Sequence, residues 1–197
     1  MKPQLSVLVI DIGGSRVKLF ASAAREAASF RSGPAFGPQE LIAQVRRFAS
    51  AWEYEAVSIG FPGGIGPDGP KDAGNLGDGW VGFDFAAAFD RPVRLINDAA
   101  MQALGAYAGG RMLFLGLGTG LGSAIVAQRV IVSLELGSLV HQSGETFADR
   151  LGAAGLARLG NEAWQQTVHQ ACAQLQRACS ADYVLIGGGN AERVEVL

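Results

Sequence analysis

Apolar strand candidates that run straight into glycine constrain this chain more than any other feature. VLVIDIGG (7–14), MLFLGLGTG (112–120) and YVLIGGG (183–189) each pass from β-prone apolar residues into a glycine cluster. A fourth cluster spans Gly60 to Gly69. Glycine at a strand end lets backbone N–H groups converge on a ligand with no Cβ in the way. The 28 glycines among 197 residues therefore act as punctuation and not as low-complexity filler.

The intervening segments read as alternating strands and helices. LSVLVIDI (5–12) is a buried strand, and SRVKLFAS (15–22) alternates as a half-buried one, so the pair reads as a hairpin. PQELIAQVRRFASAW (38–52) has apolar residues at 41, 42, 45, 48 and 49 behind Pro38, the pattern of an amphipathic helix. EAVSIGFPG (55–63) is a strand, residues 63–80 a long loop, FDFAAAF (83–89) a short helix. PVRLIND (92–98) is a strand running into a helix, DAAMQALGAYA. SAIVAQRVIV (123–132) reads as one returning strand, 147–157 and 161–179 as helices, and DYVLIGGG (182–189) as a last strand. VIDIGGS (9–15) and FLGLGTG (114–120) align at an offset of 105. One strand-glycine-strand element is commonplace. Two at this spacing, each followed by a helix-containing stretch, predict an α/β chain of two similar lobes, 1–110 and 111–197, each opening with a β-hairpin.

Composition excludes several classes. With 49% hydrophobic and 17% charged residues a sizeable core is expected. A net charge of −2 supplies no basic field for nucleic acid or an anionic membrane. No apolar run approaches the roughly 18 residues of a membrane span. MKPQLSVLVIDIGG suits a first strand better than a signal peptide, and a strand starting at residue 5 leaves no room for a preceding helix-turn-helix. Cys172 and Cys179, on one face of a helix about two turns apart, read as buried thiols of a reducing cytoplasm. With His141 and His169 they match no zinc template, so no zinc is expected; both histidines read as surface residues. Trp52 and Trp164 read as helical packing residues, whereas Trp80 has two open readings, a face for a sugar ring or a core anchor.

The glycine loops match neither common nucleotide motif. No G-x-x-x-x-G-K-[ST] occurs, and GLGTGLG (116–122) puts Leu121 where a dinucleotide fingerprint needs its third glycine. Gly118, Thr119 and Gly120 then read either as a nest for phosphate oxygens or as a hairpin that is merely tight. Asp11 ends a buried strand, where a carboxylate needs a partner: Mg²⁺ beside phosphate is one reading, a turn cap the other. Ser15 and the N–H groups of Gly13, Gly14 and Ser15 could hold a phosphate. Asn97 and Asp98 stand at a strand end that opens a helix, where α/β sheets place ligands, although either could be only the helix cap. Asn75, Glu135 and Asp11 also fall in loops after strands. A carboxylate, an orienting amide, and metal plus N–H donors are the parts an alcohol kinase needs.

These residues resemble the ROK family (repressors, open reading frames and sugar kinases). VIDIGGSRVK and LFLGLGTGLGSAIV are similar to its two phosphate motifs, LINDAAMQALGAY to its catalytic-aspartate segment, and LELGSL (134–139) to its E-x-G-H sugar segment. VLIGGGNA resembles its adenosine-side loop, and GNLGDGW (74–80) the sugar-side loop of the polyphosphate-glucokinase-like branch. The resemblance implies a two-lobed actin-like ATPase (ribonuclease H-like) fold and transfer of a phosphoryl group from polyphosphate or ATP to the 6-hydroxyl of glucose or a related hexose. Asp98 would be the general base, Asn75, Asn97, Glu135 and Ser138 the sugar contacts, and Asp11 the Mg²⁺ ligand. Gly13, Gly14, Ser15, Gly118, Thr119 and Gly120 would line the phosphate path, with Gly188 and Gly189 near a base or ribose. Arg16, Lys18 and Arg111 are candidates for a donor groove, and a cytoplasmic homodimer is implied. Three departures stand out. Ser138 replaces the family histidine, the usual further acidic sugar contact has only Glu145, Asp149 or Glu162 to draw on, and relatives continue past the length seen here. A weakened sugar sensor is the competing expectation; a dehydrogenase is disfavoured by the failed fingerprint.

Overall fold

Strict alternation along VLVIDI turns Leu8, Ile10 and Ile12 to one side, all fully buried, and leaves Val7, Val9 and Asp11 on the other. Each such buried Leu or Ile contributes roughly 2 kcal/mol of transfer free energy. In this computed structural model, which describes residues 5–74, 76–128 and 130–195, the alternation builds the first of two sheets. The chain divides into two compact units, Met1–Met101 and Gln102–Leu197.

The first unit contains β1 (Val7–Ile12), β2 (Arg16–Ala21), β3 (Glu26–Arg31), α1 (Pro38–Phe48), β4 (Ala56–Phe61), β5 (Ile65–Gly66), β6 (Gly69–Pro70), α2 (Phe85–Phe89) and β7 (Val93–Asn97). Helix α3 (Asp98–Ala106) carries the boundary within it. The sheet order is β3-β2-β1-β4-β7, with β1, β4 and β7 parallel and the β1–β2 and β2–β3 pairs antiparallel. One core unites Leu8, Ile10 and Ile12 with Leu41 and Val45 of α1, Val57, Ile59 and Phe61 of β4, and Trp80.

The second unit contains β8 (Arg111–Leu117), β9 (Leu121–Ala127), β10 (Val130–Leu134), α4 (Phe147–Leu151), α5 (Ala153–Leu159), α6 (Asn161–Ala178) and β11 (Tyr183–Gly187). Its sheet order is β10-β9-β8-β11, with only the β8–β11 pair parallel. Trp164, Val168, Ala171 and Leu175 of α6 pack on Leu113, Leu115 and Leu117 of β8.

Four segments differ from the sequence reading. β3 was not anticipated: EAASFR is alanine-rich and buries only Phe30. The strand expected over 123–132 is two antiparallel strands, turning at Gln128 with φ 51°. The helix expected over 147–157 breaks at Gly152, whose extended ψ of −175° ends α4 and starts α5. The helix expected to reach residue 52 stops at Phe48, so Trp52 lies beyond it, half-buried and donating from Nε1 to Glu26 Oε2 at 2.6 Å.

Candidate active site

Parallel pairing puts the C-terminal ends of β1, β4 and β7 side by side, and the polar residues of the first unit gather there. Asp11 registers with Gly60, Gly60 with Ile96, and Phe61 with Asn97. A Cβ on Gly60 would lie 3.3 Å from the Asp98 Cα and 3.0 Å from the Met101 sulfur. Helix α3 therefore begins directly over Gly60, on the sheet face opposite the Leu8–Ile10–Ile12 core. Asp11 projects from that same face, one strand away, about 4.8 Å between backbones. Two carboxylate residues so converge around one glycine.

The capping question resolves at atomic level. Asn97 Oδ1 accepts the Ala100 N–H at 3.2 Å, which is the cap geometry, while Asp98 is the first helical residue. Asp98 Oδ1 accepts the Ala99 N–H at 2.7 Å, and the positive end of α3 is a favourable place for its charge. The Asn97 carbonyl end is thus committed to the helix, which leaves its NH₂ end to meet a hydroxyl.

The first glycine turn is braced from β3. Gly13 N–H closes onto the Arg16 carbonyl at 3.0 Å, so it is not a phosphate donor here as the sequence reading had it. Ser32 donates from Oγ to the Gly13 carbonyl at 2.6 Å and from N–H to the Ser15 carbonyl at 3.2 Å. Both carbonyls are held back by the same residue, and the N–H groups of Gly14 and exposed Ser15 are those left to face an anion. Asp11 lies 3.7 Å from Lys18 Nζ, with side-chain exposures of 20% and 67%. Burial raises the Asp11 carboxyl above its ordinary range, and Lys18 offsets part of that rise. A desolvated carboxylate with one exposed ammonium nearby suits Mg²⁺, which takes one or two carboxylates and completes its shell with phosphate and water. Among the described residues no three His, Cys, Asp or Glu side chains cluster as an all-protein metal cage.

Asn75 lies outside the described residues, but its flanks are pinned. Asp72 accepts from Gly74 N–H at 2.8 Å and Gly64 N–H at 3.1 Å, and Gly77 N–H donates to the Phe36 carbonyl at 3.0 Å. Trp80 is fully buried, donates from Nε1 to the Phe36 carbonyl at 3.1 Å and packs against Phe61 at 5.2 Å. It is the core anchor of this loop, and burial rules out the sugar-stacking reading.

In the second unit the Gly118–Gly120 loop and the Gly187–Gly189 loop meet. Ala153 N–H donates to the Gly118 carbonyl at 3.0 Å, Asn190 N–H to the Leu117 carbonyl at 2.9 Å, and Asn190 Nδ2 to the Gly118 carbonyl at 3.3 Å. Gly188, with φ +86°, rests on Leu117, whose carbonyl would be 2.5 Å from any Cβ there. Asn190 and Ser32 brace these turns, a role that the sequence alone assigns to neither. Glu135 is exposed and follows β10; its carbonyl accepts Ser138 N–H at 3.1 Å and Ser138 Oγ at 2.7 Å. The Ser138 hydroxyl proton is thereby directed to the Glu135 carbonyl, which leaves the hydroxyl oxygen to accept from a further partner.

Two of the acidic candidates are tied up within the chain. Glu145 is gripped by Arg158 at 2.8 Å and Arg150 at 3.2 Å, and Asp149 forms a capping box with Thr146. Glu162 is exposed in the first turn of α6. Arg111 starts β8 while Gly118 follows its end, about 20 Å away at ~3.3 Å per residue, which removes it from any groove at that loop. Arg16 is tied to Ser29 Oγ at 2.9 Å. His141 is half-buried, edge-on to Phe147 at 5.8 Å. His169 is half-buried, with Nε2 at 3.0 Å from the Glu195 carbonyl. Both histidines keep partial surface exposure, each with one ring nitrogen in a hydrogen bond. Trp164 is fully buried with Nε1 on the Leu151 carbonyl. Cys172 and Cys179 are free and half-buried; burial pushes the Cys172 thiol up to about 11. Among the described residues no helix is long and apolar enough to cross a membrane.

No family model matches the chain. It is 29% identical over 160 residues to the kanosamine kinase of Amycolatopsis mediterranei, spanning 70% of this chain and about half (53%) of that relative. The inorganic polyphosphate/ATP-glucomannokinase of Arthrobacter superposes with a TM-score of 0.81 at 23% identity, covering 97% of this chain and 87% of that one. A ROK family glucokinase from Streptomyces griseus, solved with glucose and AMPPNP, superposes with a TM-score of 0.72 at 16% identity, covering 95% and 84%. The chain therefore has the fold of the ROK family sugar kinases, the proteins that its glycine turns and Asn97–Asp98 pair resemble.

Proposed function

We propose that the chain is a member of the ROK family and works as a sugar kinase, moving a phosphoryl group from polyphosphate or ATP to the 6-hydroxyl of glucose or a related hexose. The observation that carries this reading is the convergence of Asp11 and Asp98 around Gly60 at the ends of three parallel strands. The reading draws support from the kinases that share the fold and from the kanosamine kinase of related sequence.

In this assignment Asp98 takes the proton of the attacking hydroxyl, a step worth 10²–10⁴-fold when the base is held within hydrogen-bond reach. Asn97, its carbonyl end locked on Ala100, presents its NH₂ to the sugar. Asn75, Glu135 and Ser138 supply the remaining sugar contacts. Gly14, Ser15, Thr119 and Gly120 offer N–H and hydroxyl donors to the phosphates, with Gly13, Gly118, Gly188 and Gly189 keeping the turns tight. Asp11 would hold Mg²⁺, which when bound neutralises charge on the phosphates. The assignment includes functional lobes of 1–110 and 111–197, a cytoplasmic setting and a homodimer.

Purified protein with Mg²⁺, a hexose panel and either ATP or polyphosphate should yield sugar 6-phosphate, and Asp98→Asn should abolish it. Sugar binding without turnover under any donor would instead establish the sensor, to which the internally hydrogen-bonded Ser138 hydroxyl lends its one supporting observation.

A further inference from the structure

The Ser123 side chain of β9 is polar yet only 2% exposed. It stands opposite Leu134, the last residue of β10. Its hydroxyl donates to the Leu134 carbonyl at 2.8 Å and accepts the Leu136 N–H at 3.1 Å. Those two peptide groups flank Glu135 on either side. At Glu135 the backbone leaves the sheet, with φ −109° and ψ 46°, and enters a 3₁₀ turn over Leu136–Ser138. A strand that turns away forfeits its next ladder bonds, and buried peptide groups left without partners are costly. One hydroxyl replaces both bonds at the point of departure.

A residue has only two soft backbone dihedrals, so anchoring the carbonyl before Glu135 and the N–H after it fixes the direction of its Cα–Cβ bond. Gly137 holds the same segment from its far side: a Cβ there would lie 2.7 Å from the Leu121 carbonyl. We propose that Ser123 is a positioning residue for sugar recognition, aiming the exposed Glu135 carboxylate by clamping the peptide groups on both sides of it. This rests on the assignment of Glu135 to the sugar subsite.

The test measures glucose affinity by calorimetry, glucose and donor KM, kcat, and Tm for wild type, Ser123→Ala, Glu135→Gln and the double variant. Ser123→Ala should weaken glucose binding and raise glucose KM about tenfold, the equivalent of one displaced charge-assisted hydrogen bond, with kcat and donor KM within about twofold. In the Glu135→Gln background the same change should cost no further affinity, while Tm falls equally in both backgrounds. A purely structural serine would lower Tm and leave the affinity alone. If Ser123→Ala does not fold, the nearly isosteric Ser123→Cys carries the comparison. Unchanged glucose affinity in Ser123→Ala, or an equal loss in both backgrounds, overturns the role of Ser123. A wild type that neither binds nor phosphorylates any hexose overturns the assignment of Glu135 itself, and this proposal with it.

Discussion

The two units are variations on one sheet. In the first, β1, β2 and β3 form an antiparallel ribbon and β4 returns parallel to β1; in the second, β8, β9 and β10 form the ribbon and β11 returns parallel to β8. The first turn occupies residues 13–16 and the second 118–120, one residue tighter by register. Each turn has its carbonyls tied back from outside the hairpin, by Ser32 in one unit and by Ala153 and Asn190 in the other. The difference lies at the strand end. Asp11 in β1 corresponds at the 105-residue offset to Gly116 in β8, and they pair with Gly60 and Gly187 respectively. Unit one also adds β7, which brings Asn97 and Asp98 beside that position. The two sheets thus share one strand pattern, with carboxylates at the strand ends of the first and glycine at the corresponding positions of the second.

The largest expected effect tests that asymmetry directly. Asp98→Asn should lower kcat about 10³-fold in a coupled sugar-phosphate assay. Its Tm should change far less than its kcat, because the amide oxygen can still accept the Ala99 N–H. The paired glycines come next. Gly60→Ala meets the Asp98 backbone at 3.3 Å and the flexible Met101 sulfur at 3.0 Å, so it should tilt α3 and cost kcat at least tenfold, with only ~1 kcal/mol of stability. Gly187→Ala meets two Phe114 ring atoms at 2.7 Å, and should cost about 1–3 kcal/mol by chemical denaturation with kcat within about threefold. Equal kcat losses in the two variants would break the contrast between the units.

How far the sequence reveals this pattern depends on which residues make the turns. Where glycine marks a strand end, as at Gly13 and Gly118, strand and turn could be read directly. The two third strands could not: β2 passes to β3 through Arg25 at φ 56°, and β9 turns at Gln128 with φ 51°, non-glycine residues in a conformation that sequence associates with glycine. The place of Asp98 at a strand-to-helix junction was legible because PVRLIND runs directly into the apolar spacing of DAAMQALGAYA. Ser32, Ser123 and Asn190 were not, since their importance rests on partners 19, 11 and 72 residues away. The sequence leaves Trp80 open between a sugar face and a core anchor, because nothing local says that Phe36 offers its carbonyl.

The braces supply a smaller and more symmetric effect. Ser32→Ala and Asn190→Ala each remove a side-chain hydrogen bond to a turn carbonyl and should each cost about 1 kcal/mol in thermal or chemical denaturation. Both should raise the donor KM a few-fold and leave the sugar KM unchanged. An effect of Ser32→Ala on the sugar KM instead would show that the first turn serves the sugar and that the two turns are not functional counterparts.

The smallest effect is a pH dependence confined to the first unit. Burial holds the folded Asp11 carboxyl above its ordinary value of 3.8, with Lys18 opposing. Between 3.8 and that raised value the folded chain binds more protons at this site than the unfolded chain, so this group's contribution to stability declines as pH rises through the window and stays low above it. At neutral pH the ionised carboxylate is a net cost, and Lys18, 67% exposed, loses little by losing its partner. Asp11→Asn should therefore have a higher Tm than wild type at pH 7, and the gap should shrink as the pH is lowered toward 4 in parallel melts. Mg²⁺ with a nucleotide or polyphosphate should narrow the gap at pH 7 by stabilising wild type alone, because only the carboxylate can join a metal shell. Gly116→Asp would place the same carboxyl at the corresponding position of the second unit, where β7 has no counterpart among the described residues, and there Mg²⁺ should give no such rescue. A variant Asp11→Asn less stable than wild type at pH 7 without ligand would mean that Lys18 outweighs burial, and that this residue serves the fold before it serves the phosphate.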